Sequence, residues 1–220
     1  MASGVKPSCV ICAWRQTCNK QFVMADPSRC PEFSRDVSIK DYPGKKGVKL
    51  IIQGAPGSGK TTLVERLITK LNDMRLGGFV TREIRERGER KGFKIITLDK
   101  REGVLAHENI PGHQKVGKYT VNMDALENIG VKSVEHALAH DDVVVIDEIG
   151  KMELMSVHFR DIAVAALEGD KPLVATVPAE GPAFVEEIKA RLDAHLLTLT
   201  AANRDELLEE AVRHLRGDIP

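Results

Sequence analysis

The chain has 220 residues, 42% hydrophobic and 29% charged, with 32 basic and 32 acidic side chains and a formal net charge of zero. That is globular composition, room for one packed domain and an appendage, and it excludes a disordered chain. No apolar run approaches the ~20 residues of a membrane helix, and one Trp, two Tyr and six Phe without a basic excess disfavour a dedicated nucleic-acid binder.

The first 43 residues read as a cysteine-bearing module and linker. They start without a charged-then-apolar signal pattern, so a cytoplasmic chain is expected. All four cysteines lie here, as Cys9-x₂-Cys12-x₅-Cys18-x₁₁-Cys30. Thiols so spaced in a cytosolic chain suit a metal better than disulfides. Structural zinc is one reading; an iron–sulfur cluster, which Cys30-Pro31 also suits, is another, and a metal-free segment is the third. If a metal binds, it organises a docking or sensing appendage rather than a catalytic centre.

Residues 44–220 change texture. After the turn-rich, charged linker Asp41–Gly47, Val48–Gln53 reads as a buried strand, and Leu63, Val64, Leu67, Ile68 and Leu71 form a helical stripe. Gly78–Ile84 and Phe93–Leu98 read as a hairpin joined by the charged turn Arg85–Lys91, and residues 99–120 show no dominant period. Val131–Ala139 is an expected helix, Val143–Ile146 a central strand and Leu154–Leu167 a helix. Leu173–Val177, Phe184–Leu192 and Leu196–Leu199 follow as strand, helix and strand, and a last amphipathic helix carries Leu207, Leu208, Ala211, Val212 and Leu215. The alternation predicts an α/β domain with a mostly parallel sheet.

Between the first strand and the first helix lies Gly54-Ala55-Pro56-Gly57-Ser58-Gly59-Lys60-Thr61, which fits G-x-x-x-x-G-K-[ST]. In such a loop the glycines let successive backbone N–H groups turn inward around a phosphate, and the helix N-terminus adds its dipole. Lys60 then reaches the β- and γ-phosphates, and the Thr61 hydroxyl ligates Mg²⁺. The strand Val143–Ile146 runs out into Asp147-Glu148 at the edge where open parallel sheets bind ligands. Asp147 is the expected partner of Mg²⁺, and Glu148 the group that polarises an attacking water.

The loop Gly54–Thr61, Gly78-Phe79-Val80-Thr81-Arg82-Glu83-Ile84-Arg85, Val116-Gly117-Lys118-Tyr119, Ile146-Asp147-Glu148-Ile149-Gly150-Lys151-Met152-Glu153-Leu154 and Asn203-Arg204 occur in an order that resembles the small P-loop nucleoside-triphosphatases of the thermophile and human cancer-related type. The resemblance spans roughly residues 47–216 and excludes the cysteine segment. It implies a RecA-like sheet and hydrolysis of ATP, GTP and other nucleotides with loose base preference. It adds Ile149 and Gly150 to the nucleotide-binding set, and Lys151, Arg85 and Arg204 as cations beside the nucleotide. One of the three has the task of offsetting charge on the transferring phosphoryl group.

Two other functions share these motifs. A small-molecule or nucleotide kinase uses the same loop and Mg²⁺ site, and a nucleotide-switched sensor would dock a protein partner on the cysteine module. Glu148 beside Asp147 favours water as the nucleophile. Asn19-Lys20-Gln21-Phe22 lacks the aspartate of a guanine-reading motif, which disfavours a dedicated GTPase. His136 and His140 suit a helix C-terminus better than a metal site.

Overall fold

The computed structural model describes residues 47–218. Strand β1 (Lys49–Gly54) leads through the phosphate loop into helix α1 (Lys60–Lys70). Five strands then follow without an intervening helix: β2 (Leu76–Glu86), β3 (Glu89–Thr97), β4 (Glu102–His107), β5 (Lys115–Val116) and β6 (Tyr119–Val121). A helical stretch passes from α2 (Met123–Ala125) through a π-helical segment (Leu126–Val131) into α3 (Lys132–His140). The chain closes with β7 (Val143–Asp147), a 3₁₀ turn (Glu153–Met155), α4 (Val157–Glu168), β8 (Leu173–Pro178), α5 (Ala183–Lys189), β9 (His195–Thr198) and α6 (Arg204–Arg216).

The strands form one sheet in the order β5-β6-β4-β3-β2-β7-β8-β1-β9. The expectation of a mostly parallel sheet is corrected here, because the sheet is mixed. The pairs β2–β7, β7–β8, β8–β1 and β1–β9 are parallel. The pairs β2–β3, β3–β4, β4–β6 and β6–β5 are antiparallel. The cause is connection length. A parallel neighbour needs a crossover of about a dozen residues, whereas the links after β2 are short turns that only an antiparallel partner can accept. At the tip of the β2–β3 hairpin, Arg87 and Gly88 both take positive φ, 50° and 85°, the geometry a two-residue hairpin loop demands.

Alternate residues of the central strands face opposite layers. Leu50, Ile52, Val143, Val145 and Val174 pack with Leu63, Val64 and Leu67 of α1 and Leu207, Leu208 and Ala211 of α6. Ile51, Val144, Ile146, Ala175 and Val177 pack with Val134 and Ala137 of α3, Phe159 and Ala163 of α4, and Val185 and Ile188 of α5. Burial on both faces explains why these strands read as unbroken apolar runs. The α4 helix starts at Val157 rather than Leu154, because the Ser156 hydroxyl accepts the Phe159 N–H at 2.8 Å and caps it. The α5 helix stops at Lys189, which leaves Leu192 fully exposed. Among the described residues, no helix is long and apolar enough to cross a membrane.

One buried cation belongs to the scaffold. Lys49, 1% exposed on β1, donates to the carbonyls of Ala166, Gly169 and Lys171 at 2.9, 2.8 and 2.5 Å. It thereby satisfies two carbonyls that the end of α4 leaves without helical partners and a third in the loop that follows. Lys49→Met keeps the apolar stem and removes the donors, so it is expected to lower unfolding free energy by ~3 kcal/mol in urea titration. An unchanged midpoint would show that the carbonyls find water instead.

Candidate functional site

The site lies at the C-terminal ends of β1 and β7, which the sheet order separates by β8. At the end of β1, Gly54 admits no side chain. A Cβ there would lie 2.5 Å from Ser58 Oγ and 3.3 Å from the Leu199 carbonyl. The loop then closes on itself, with the Ser58 N–H donating to the Ala55 carbonyl at 3.1 Å. Gly57 and Gly59 sit at φ 77° and 96°, the left-handed region that glycine enters without cost. Gly59 caps α1, so the helix begins at Lys60 with its N-terminus facing the loop interior.

Four predicted residues converge at the mouth of this loop. The Lys60 Nζ donates to the Gly54 carbonyl at 2.9 Å and pairs with Glu148 Oε2 at 3.1 Å. The Thr61 hydroxyl donates to Asp147 Oδ2 at 2.6 Å. Asp147 is 1% exposed, and its other oxygen accepts the Thr176 hydroxyl. Burial pushes the Asp147 carboxyl up to about 6, reinforced by the neighbouring Glu148 and opposed by the Thr176 and Thr61 hydroxyls. Among the described residues, no group of three or more His, Cys, Asp or Glu is placed to hold a metal unaided. The adjacent Thr61 and Asp147 oxygens nonetheless fit Mg²⁺, a hard cation that takes one or two protein oxygens and completes its shell with phosphate and water.

Beyond Glu148 the chain turns sharply. The Ile149 N–H donates to the Thr176 carbonyl at 2.8 Å, and Ile149 itself is fully buried. A Cβ on Gly150 would stand 3.0 Å from Glu148 Oε1 and 3.1 Å from Glu153 Oε2. Glu153 is buried at 5% exposure and accepts the Gly150 N–H at 3.1 Å. Burial pushes its carboxyl up to about 8 from an ordinary 4.5. An acid with its folded pKa raised binds more protons folded than unfolded between those values. Stability is therefore full below about 4.5 and falls as pH climbs toward 8. Glu153→Gln, a mimic of the neutral form, is expected to lack that loss. Its urea midpoint should exceed the wild-type midpoint at pH 8 by more than it does at pH 5. An equal difference at both values would assign Glu153 an ordinary titration.

The three predicted cations are dispersed. Lys151 is exposed and, with Arg85, lines a cleft of about 800 Å³ that opens from the loop toward β2, β3, β4 and β6. Arg85 holds Glu83 at 2.7 Å and the Gly88 carbonyl at 2.9 Å. Arg204 lies elsewhere, at the start of α6, where its Nη2 donates to the Ser58 carbonyl at 3.1 Å and packs against Gly59. Its buried Nε has no hydrogen-bond partner. Arg204 thus braces the loop on the β9 side, whereas Lys151 and Arg85 face the cleft. Sequence reading missed Thr176 and Glu153. Thr176 carried a faint signal, a polar residue inside the apolar run Leu173–Val177; Glu153 carried only its place in the stretch Ile146–Leu154, with no role attached. The imidazoles of His136 and His140 lie against each other, tilted by 50° with centroids 4.6 Å apart. Cys9, Cys12, Cys18 and Cys30 lie outside the described residues, so the zinc and iron–sulfur readings have no structural counterpart here.

Residues 49–212 match the model of the family described as NTPase. A "Nucleoside-triphosphatase THEP1" of Thermotoga sp. (strain RQ2) is 47% identical over 169 residues, 77% of this chain and 96% of that protein. The protein of the same name from Methanocaldococcus jannaschii is 40% identical over 170 residues, 76% of this chain and 97% of its own. The crystal structure of THEP1 from the hyperthermophile Aquifex aeolicus superposes with a TM-score of 0.71 at 36% identity, covering 76% of this chain and 99% of that one. The solution structure of a human cancer-related nucleoside triphosphatase does so at 0.67 and 30% identity, over 79% and 100% of the two chains.

Proposed function

The chain belongs to the NTPase family, and from that membership we propose that it hydrolyses nucleoside triphosphates to the diphosphate and phosphate. The convergence of Lys60, Thr61, Asp147 and Glu148 on one loop mouth carries the reading. ATP, GTP and other triphosphates are its substrates, with loose base preference. The N–H groups of Gly57–Thr61 surround the β-phosphate, and the α1 dipole adds its positive end. Lys60 leaves Glu148 and the Gly54 carbonyl to engage the β- and γ-phosphate oxygens.

Thr61 and Asp147 would hold Mg²⁺, which when bound would supply positive charge to offset that of the phosphate oxygens. Glu148, released from Lys60, accepts a hydrogen bond from the water in line with the γ-phosphorus and takes its proton as the bond forms. Lys151 and Arg85 supply positive charge from the cleft side, and Arg204 fixes the loop from behind. Residues 44–220 form the hydrolase domain, and residues 1–43 a separate module whose cysteines bind zinc, an iron–sulfur cluster or no metal.

Phosphate release from Mg·ATP with no added acceptor tests the reading. Steady release in proportion to enzyme is expected. Release that appears only when an alcohol or nucleotide acceptor is supplied would make the protein a kinase instead.

A further inference from the structure

The cleft, about 800 Å³, extends well beyond the phosphate loop. It runs from the phosphate loop past the first turns of α1 and along β2, and continues over the antiparallel strands, where Leu105, Val116 and Tyr119 line it. In the reading above, the γ-phosphate end of the nucleotide is the point where Lys60, Asp147 and Glu148 meet, at the end of β7. The sheet order puts β2, β3, β4 and β6 beyond β7, and β9 on the far side of β1. The nucleoside therefore leaves toward β9, and the part of the cleft over β2–β6 is left for something else.

That part is built against local rules. Arg85 and Arg90 stand directly opposite each other across the β2–β3 hairpin, a like-charge pair that destabilises a ladder. A bulge produces the pairing. Ile84 opposes Gly92 and Arg85 opposes Arg90, so Lys91 is skipped and Arg90 comes to the face that carries Phe93. Both arginines share the single carboxylate of Glu83, at 2.7 and 2.8 Å, which leaves the cluster one positive charge in excess.

Arg90 is held in place on three sides. Besides Glu83, its Nε donates to the Tyr119 hydroxyl at 3.2 Å, and its guanidinium lies 5.3 Å over the Phe93 ring. Phe93 and Tyr119 meet edge to face with centroids 5.3 Å apart. A preorganised arginine pair beside a ring wall is suited to a planar body that ends in an anion. Departures from local sequence–structure agreement of this sort concentrate at functional sites.

We propose that this cleft is a second ligand site, beyond the γ-phosphate, for a small organic anion with a flat apolar body. Arg85 and Arg90 bind the anionic group, and Phe93, Leu105 and Val116 cover the apolar part. The inference rests on the nucleotide orientation given above. Its occupant lies on the side from which water approaches the γ-phosphorus, so occupancy couples the site to turnover.

Phenyl phosphate is the probe, titrated by calorimetry into the full chain saturated with Mg·ADP, with inorganic phosphate as the companion titrant. Inorganic phosphate can take the vacated γ-position or the arginine pair, but it carries no ring. Phenyl phosphate is expected to bind about tenfold more tightly, since ring burial adds to the anion contact. Arg90→Gln and Phe93→Leu should each remove most of that advantage. Should Arg90→Gln fail to fold, Phe93→Leu decides by itself. Equal affinity for the two titrants, displacement of Mg·ADP by phenyl phosphate, or an advantage that survives in every folded variant would overturn the second site. Failure of the nucleotide reading is separable, because it appears earlier, as no Mg·ADP binding at all.

Discussion

Glu148→Gln is expected to lower phosphate release from Mg·ATP by about 10²–10⁴-fold, the range for loss of a positioned general base, while Mg·ATP still binds. The amide keeps the size and hydrogen-bonding reach of the side chain but cannot accept the proton of the attacking water. The geometry adds a second, opposite effect. Glu148 Oε2 holds the Lys60 Nζ at 3.1 Å, and a nucleotide that recruits the lysine must break that pair. The glutamine is a weaker competitor for Lys60 and removes a negative charge beside the γ-phosphate. Affinity for Mg·ATP should therefore rise several-fold as turnover falls. Equilibrium dialysis and single-turnover phosphate release measure the two quantities separately. Wild-type turnover in this variant would remove Glu148 from the proton-accepting role, and weakened binding would show that its pairing with Lys60 assists the loop rather than competing with substrate.

Lys60→Ala is expected to lower kcat/KM by about 10³-fold, comparable to loss of a preorganised cationic or hydrogen-bonding contact in a water-poor site. The side chain is buried, its ammonium is 2.9 Å from the Gly54 carbonyl, and it is the partner of Glu148. Alanine suits the first turn of α1, so the helix persists and the loss is one of charge and reach. Both binding and turnover should fall, because the proposed contacts of the ammonium to β- and γ-oxygens belong to the ground state and the transition state alike. Far-ultraviolet circular dichroism identical to wild type, together with lost nucleotide binding, is the expected pair of observations. Undiminished binding would mean that the backbone N–H groups hold the phosphates without the lysine. The two substitutions also separate the roles: one lowers turnover with binding retained, the other lowers both.

What was legible in the amino-acid sequence is what is local in it. The phosphate loop needs glycine at Gly54, Gly57 and Gly59 for reasons of close approach and positive φ, and those needs leave a contiguous signature. Asp147 and Glu148 adjoin a β-branched run that can only be a buried strand. The alternation of strands and helices on either side follows from hydrophobic period, and with it the α/β class. Local too was the cysteine cluster Cys9–Cys30, although it lies outside the described residues.

Tertiary structure alone decided which distant residues share a site. The short links after β2 turned half of the sheet antiparallel and built a wall beside the loop from residues 99–121 that carried no periodic signal. Thr176 reaches Asp147 because β8 is inserted next to β7, a fact of strand order that no window of sequence contains. Glu153 is buried because the chain folds back under Gly150, and a carboxyl there titrates by its surroundings rather than by its type. Arg85, Lys151 and Arg204 were all readable as cations, yet only tertiary packing set Arg204 against the Ser58 carbonyl of the loop and Arg85 and Lys151 on the wall of the cleft. Backbone conformation and hydrophobic period are written along the chain. Register, strand order and burial arise between segments far apart in it, and these settle where each charge stands.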